Sequence, residues 1–313
     1  MGKLTRSGKE DHTLVLIPRA SVMLFLTCLG GFIMKINTYH KNPSAFFSLR
    51  TILYAWALTG LLVLSGCIIA DIDGDDDFGR TDFVAHASFS FKVDVTSQTR
   101  IRLEAINGNV EIRGRADAAS VTVSGERQVG SHSQSDAERH LDDLQVEVDD
   151  RGEEIVIRTI QPKNNQGRNY VVDYTITLPV DLEVAAGLVN GNVTVETIDN
   201  FVSVHTVNGN VDLREITGSA SVELINGNID SEVFLPLEGT IVLTTTNGNI
   251  TLGIPHATSA ALTARVTNGA INLSNLNLQN PDLTNLSLTG TLGDGDGSIE
   301  LRTVNGNIGV KGF

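Results

Sequence analysis

Apolar and polar positions alternate along the C-terminal two-thirds of the chain in short runs, and the runs are separated by Asn-Gly pairs beginning at Asn107, Asn190, Asn208, Asn226, Asn247, Asn268 and Asn305. Three residues after each Asn stands a β-branched residue: Val110, Val193, Val211, Ile229, Ile250, Ile271 and Ile308. The next column, from Glu111 to Gly309, is polar or Gly, and the one after it is apolar except for Ser231. Upstream, Leu103, Ala186, Val204, Val222, Leu243, Ala264 and Leu301 lie four residues before the Asn, and a second apolar column from Ile101 to Ile299 lies six before it. Alternation with period two marks a strand with one buried face. Each unit is therefore predicted to be strand, Asn-Gly corner, strand and a second corner, marked by Asp199-Asn200, Thr217-Gly218 or Glu238-Gly239.

Asn-Gly is also the strongest short signal for a two-residue hairpin, so an array of hairpins competes with a stack of coils. The register favours the stack. Successive central corners are 18, 18, 21 and 21 residues apart with the same column chemistry, as expected when like residues lie about 4.8 Å above like residues. A single coil offers roughly five inward side chains at about 1.5–3 kcal/mol each. That falls short of ordering some ~18 residues at about 1–2 kcal/mol apiece. Stacking is obligatory, and stacked Asn side chains can form amide ladders. The expected fold is all-β: a parallel β-solenoid of about seven to eight coils over residues 83–313, with regular repeats over 181–313. The corner turns are Asn107, Gly108, Asn190, Gly191, Asn208, Gly209, Asn226, Gly227, Asn247, Gly248, Asn268, Gly269, Asn305 and Gly306. Residues 270–304 are expected to make one extra coil without an Asn-Gly corner. Residues 113–180 read as an insertion, with strands at 120–124, 154–160 and 170–178. A helix follows Ser133, with a capping box of Ser135 and Glu138 and an apolar face of Ala137, Leu141 and Leu144. This strand-helix-strand piece would cap an end of the stack.

The Asn-Gly-Asn corners, the helix-bearing insertion and the Leu178-Pro179 that leads into the repeats resemble an adhesin-like domain of unknown function found in bacterial envelope proteins. The resemblance covers roughly Phe89 to Phe313. It implies a β-rich, non-enzymatic envelope protein that binds a glycan or an envelope protein or supports the envelope mechanically, and it names no activity.

The N-terminal part concerns address. Thr51 to Ala70 carries no charge, is preceded by Lys35, Lys41 and Arg50, and is followed by an acidic run from Asp71. It is long enough to be an uncleaved anchor and also reads as a signal peptide, with the remainder exported. Leu64-Ser65-Gly66-Cys67 resembles the lipobox of bacterial lipoproteins, which favours cleavage before a lipid-modified Cys67. Ile68 after the cysteine points, by the same resemblance, to the outer membrane. The expected organisation is an over-extended N-terminus or extra membrane segment over 1–33, a signal peptide over 34–66 and an acidic tether over 67–82.

Charge and chemistry narrow the partners. The chain has 23 Lys plus Arg against 37 Asp plus Glu, a formal charge of -14. Seven basic and two acidic residues precede Cys67, so 16 stand against 35 from there on, at -19. Such a body repels nucleic acid. Two cysteines, Cys28 and Cys67, build neither a disulfide framework nor a zinc site. The acidic run Asp71–Asp77 lacks the closing Glu of an EF-hand, and Gly293–Gly297 reads as a solvated turn. His86, His132, His140, His205 and His256 lack metal-ligand spacing. No cofactor, metal or catalytic residue is expected. The main alternative is a polysaccharide lyase or hydrolase built on the outward column Gly187, His205, Glu223, Thr244, Arg265 and Arg302, with His205 and Glu223 on adjacent coils. An envelope-stress signalling component is the third.

Overall fold

The computed structural model describes residues 24–29, 33–38 and 83–313, and the chain divides into two units, Met1–Asp75 and Asp76–Phe313. In the first unit Leu24–Leu29 pairs antiparallel with Ile33–Thr38. The apolar segment Thr51–Ala70, Cys67 and the acidic tether lie outside the described residues.

The second unit is all-β, with two mixed sheets, one short helix and no closed barrel. The strands that precede the corners form one sheet, in the spatial order Arg100–Glu104, Glu183–Asn190, Val202–Asn208, Ala220–Asn226, Thr240–Asn247, Gly297–Asn305 and Ala260–Asn268. The strands that follow them form the other: Val110–Arg115, Val193–Ile198, Val211–Ile216, Ile229–Val233, Ile250–Ile254, Ile308–Gly312 and Ile271–Ser274. Neighbours are parallel and pair column on column, so that Val184 opposes Val202 and Val204 opposes Val222. The apolar files point inward and merge into one cluster. Ser231, the polar exception, is buried and donates from Oγ to the Thr251 carbonyl at 3.2 Å. Ile271 and Leu273 are only half-buried, because their strand is the last in its sheet.

The stack does not follow chain order: the last repeat, Gly297–Gly312, inserts between the Asn247 and Asn268 repeats and pairs with both. The chain between Asn268 and Asn305 does not form an extra parallel coil. After Ile271–Ser274 it makes an antiparallel hairpin, Gln279–Leu283 with Ser287–Leu292, which lies against the free edge of Ala260–Asn268. That edge would otherwise leave a row of backbone groups unpaired.

Nor is the whole of 113–180 an insertion. Glu154–Ile160 pairs parallel with Arg100–Glu104, and Asn169–Pro179 pairs parallel with Val110–Arg115, so the two continue the stack one level beyond Asn107. The loop 161–168 stands where the other levels have Asn-Gly. Beyond them lie three antiparallel strands, Phe83–Asp94, Ser120–Ser131 and Gln145–Asp150. The helix spans Gln134–His140, and its cap is Ser133 rather than Ser135: Ser133 Oγ accepts from the Asp136 N–H at 3.2 Å. Because the preceding strand runs on to Ser131, the chain is still extended at Ser133 (φ -149°, ψ 151°) and the helix starts immediately after it. Ala137 and Leu144 are buried as the helical pattern requires, and Leu141 is half-buried.

Candidate functional site

The corners come together in one line. Asn190 Nδ2 donates to Asn107 Oδ1 at 2.7 Å, and the same bond at 2.8 Å joins Asn208 to Asn190, Asn226 to Asn208, Asn247 to Asn226, Asn305 to Asn247 and Asn268 to Asn305. Asn107 closes the start by donating to the Tyr170 carbonyl at 3.0 Å. A second ladder runs beside it through the third residue of each corner. The backbone N–H of Asn192 donates to Asn109 Oδ1 at 3.2 Å, and the pattern continues through Asn210, Asn228, Asn249 and Asn307. This ladder begins on a carboxylate, with Asp173 Oδ1 accepting from the Asn109 N–H at 2.7 Å, and ends on Ala270, whose N–H donates to Asn307 Oδ1 at 2.9 Å. The departure from Asn-Gly-Asn at Ala270 thus falls on the outermost level, where no further N–H waits for an amide oxygen.

Glycine is required between the two Asn residues for two reasons. Gly209, Gly227, Gly248 and Gly306 have φ of +138°, +143°, +154° and +152°, and a Cβ on any of them would sit 1.8–1.9 Å from the carbonyl oxygen of the glycine one level below. The amide ladders need that close approach.

Outside the core the side chains form charged rows. On the second sheet Arg113 Nη2 meets Glu196 Oε2 at 3.0 Å and Glu111 Oε1 at 2.6 Å, while Arg214 reaches Glu196 Oε1 at 3.3 Å and pairs with Asp212. Asp212 raises the pKa of the Arg214 guanidinium further. Glu111, Arg113, Glu196 and Arg214, with Asn109, Asp173 and Asn192, line an open groove of about 620 Å³. On the first sheet His205 Nδ1 lies 3.3 Å from Glu223, as the column predicts, but the pair is 59% and 71% exposed and lines none of the grooves described here.

A cluster at the start of the stack, beside the helix, carries no sequence signature. Asp136 on the helix is bound by Arg168 through Nε at 2.7 Å and Nη2 at 3.0 Å, and receives Ser131 Oγ at 2.5 Å. The Arg168 and Asp136 side chains are 12% and 9% exposed. Arg168 and Ser131 hold the Asp136 carboxyl far below the usual carboxylate range. The pair ties the helix to the loop that replaces the corner. A carboxyl depressed on folding stabilises fully above its unfolded value near ~3.9 and loses that contribution as the pH falls towards its folded value. Asp136→Asn is therefore expected to lower the thermal midpoint by several degrees at neutral pH, with the gap to the parent chain narrowing as the pH is lowered from about 4. Thermal unfolding of both chains across pH checks this. Nearby, burial pushes the Tyr174 hydroxyl up to about 12, opposed by its 2.7 Å hydrogen bond with Thr159 Oγ1.

Among the described residues no group of three or more His, Cys, Asp or Glu could hold a metal ion, and no helix is long and apolar enough to cross a membrane. The corners from Asn208 to Asn305 fall where a family model does. Residues 191–311 are similar to the family described as Toastrack DUF4097. That family's solenoid-like fold agrees with the parallel levels found here. No curated protein matches the chain. Among solved structures, a candidate cell adhesion protein from Clostridium sporogenes is 16% identical, with a TM-score of 0.42, over 73% of this chain and 100% of that one. A candidate adhesin from Bacteroides fragilis is 11% identical, with a TM-score of 0.28, over 72% and 97%. One from Parabacteroides distasonis is 14% identical, with a TM-score of 0.18, over 72% and 97%.

Proposed function

We propose that this is an exported, non-enzymatic protein of the cell envelope that displays a rigid β-solenoid on a lipid anchor, for adhesin-like binding or as a scaffold. The observation that carries the reading is the pair of amide ladders through every Asn-Gly corner. They lock neighbouring levels in one register and set outward side chains in rows about 4.8 Å apart, a fixed surface suited to repetitive ligands such as glycans. In this reading Cys67 carries the lipid, residues 67–82 form a tether that extends by self-repulsion, and residues 83–313 are the displayed domain of about seven to eight coils. Strands 120–131 and 145–150 with the intervening helix act as the cap at one end, and outer-membrane sorting follows from Ile68.

Mass spectrometry of the chain recovered from membranes tests the address. A mature N-terminus at Cys67 bearing acyl chains is expected, with release to the soluble fraction on Cys67→Ala. An N-terminus elsewhere or an unmodified Cys67 overturns the anchor. A glycan and envelope-protein binding array tests the display role. Loss of a glycan-cleaving activity on Glu223→Gln would replace it with the enzyme reading.

A further inference from the structure

The outward row that contains His205 and Glu223 continues over the whole first sheet, and each ionisable side chain in it has a partner until its far end. Arg158 Nε pairs with Glu104 Oε2 at 2.9 Å, and His205 with Glu223 at 3.3 Å. The last two levels put Arg302 and Arg265 directly opposite each other. This juxtaposition exists only because the C-terminal repeat inserts beside the Asn268 repeat. Like charges in directly opposed positions repel. Arg302 is relieved in part by Glu300 Oε1 at 3.2 Å, whereas Arg265 has no ion pair or hydrogen bond from its guanidinium among the described residues.

Between them lies a shallow groove of about 340 Å³, lined also by Thr267, Ser287 and Leu286. Arg302, Arg265 and Glu300 together leave one positive charge at its rim, which matches a monoanion better than a doubly charged phosphate. Paired guanidinium groups suit a planar carboxylate through charge-assisted hydrogen bonds. Leu286, 48% exposed, offers an apolar surface for a sugar ring, and Thr267 offers a hydroxyl. The volume fits one or two sugar residues.

We propose that Arg265 and Arg302 form a binding site for the carboxylate of an acidic sugar, a uronate within a polysaccharide. This rests on the display reading and gives it a ligand class. The body's charge of -19 from Cys67 onward repels a polyanion at long range. Recognition must therefore come from short-range contact, and this groove offers two directly opposed guanidinium groups with one carboxylate between them.

The test uses the full chain in detergent, titrated calorimetrically with oligogalacturonate, with the same oligomer methyl-esterified, and with sodium sulfate. Binding of oligogalacturonate that weakens about tenfold or more on Arg265→Gln and on Arg302→Gln, since each removes a charge-assisted contact, and that is absent with the ester, supports the proposal. Arg115→Gln, whose guanidinium already has the Asp117 carboxylate and which lines none of the grooves, leaves the affinity unchanged. Equal binding of ester and acid, binding of sulfate with none of oligogalacturonate, or no binding of any of the three overturns the uronate site. The display reading survives each of those results if the binding array finds another ligand. Thermal midpoints within a degree or so of the parent show that the variants are folded, as expected for exposed side chains.

Discussion

Gly227→Ala is expected to destabilise the unit by about 3 kcal/mol or more, and to do so without removing any favourable contact. Gly227 has φ +143°, and an added Cβ would sit 1.8 Å from the Gly209 carbonyl oxygen. Both terms act in the same direction. An L-residue is strained at that φ, and the methyl group must push apart two levels that are joined by the Asn226–Asn208 and Asn228–Asn210 bonds on either side of it. No flexible side chain can yield, because the obstructing atom is backbone. Gly309→Ala is the matched control. Gly309 lies in a strand, its φ is not positive, and nothing lies within 4 Å of the added carbon, so a change of less than about 1 kcal/mol is expected. Urea denaturation of both variants measures the contrast, and a Gly227→Ala chain as stable as the Gly309→Ala chain contradicts the close-stacked corner.

Removing residues 297–313 is expected to cost more than trimming the end of a stack would. In chain order those residues would be the outermost level, and their loss would expose one apolar face. In the structure they are an inner level. Ile299, Leu301, Ile308 and Val310 are fully buried between the Asn247 and Asn268 levels. At about 1.5–3 kcal/mol each these four side chains contribute roughly 6–12 kcal/mol, as much as the whole stability of a typical domain. Deletion also cuts the first amide ladder between Asn247 and Asn268 and leaves Ala260–Asn268 without its parallel neighbour. The truncated chain should therefore lose cooperative unfolding in its C-terminal half and expose Ala260–Leu292 to protease. A shortened chain that unfolds as cooperatively as the parent, with that segment protected, would place the last repeat at the end of the stack.

How much of this was legible in the sequence differs by feature. The inward files were legible because period two in a strand is a local property: Leu103 and Ile101 face the core for the same reason that Leu301 and Ile299 do. The corners were legible for the same reason, since a positive φ beside a side-chain amide selects Gly and Asn wherever the turn recurs. The level formed by Glu154–Ile160 and Asn169–Pro179 was hidden because loop 161–168 carries no corner signal. The Asp136–Arg168 pair was hidden because it joins residues 32 apart in no repeating pattern.

The sequence alone determined that strands alternate, where they turn, and that they must stack, because those follow from local backbone chemistry and from the inability of one coil to offset its own ordering entropy. Only the tertiary structure decided which level lies next to which. The repeats present nearly identical edges, so no local preference separates one neighbour from another. Here the hairpin 279–292 covers Ala260–Asn268, and the C-terminal repeat fills the level left inside. Ala270 was the one residue that marked the outcome, and its meaning depended on knowing that nothing is stacked beyond it.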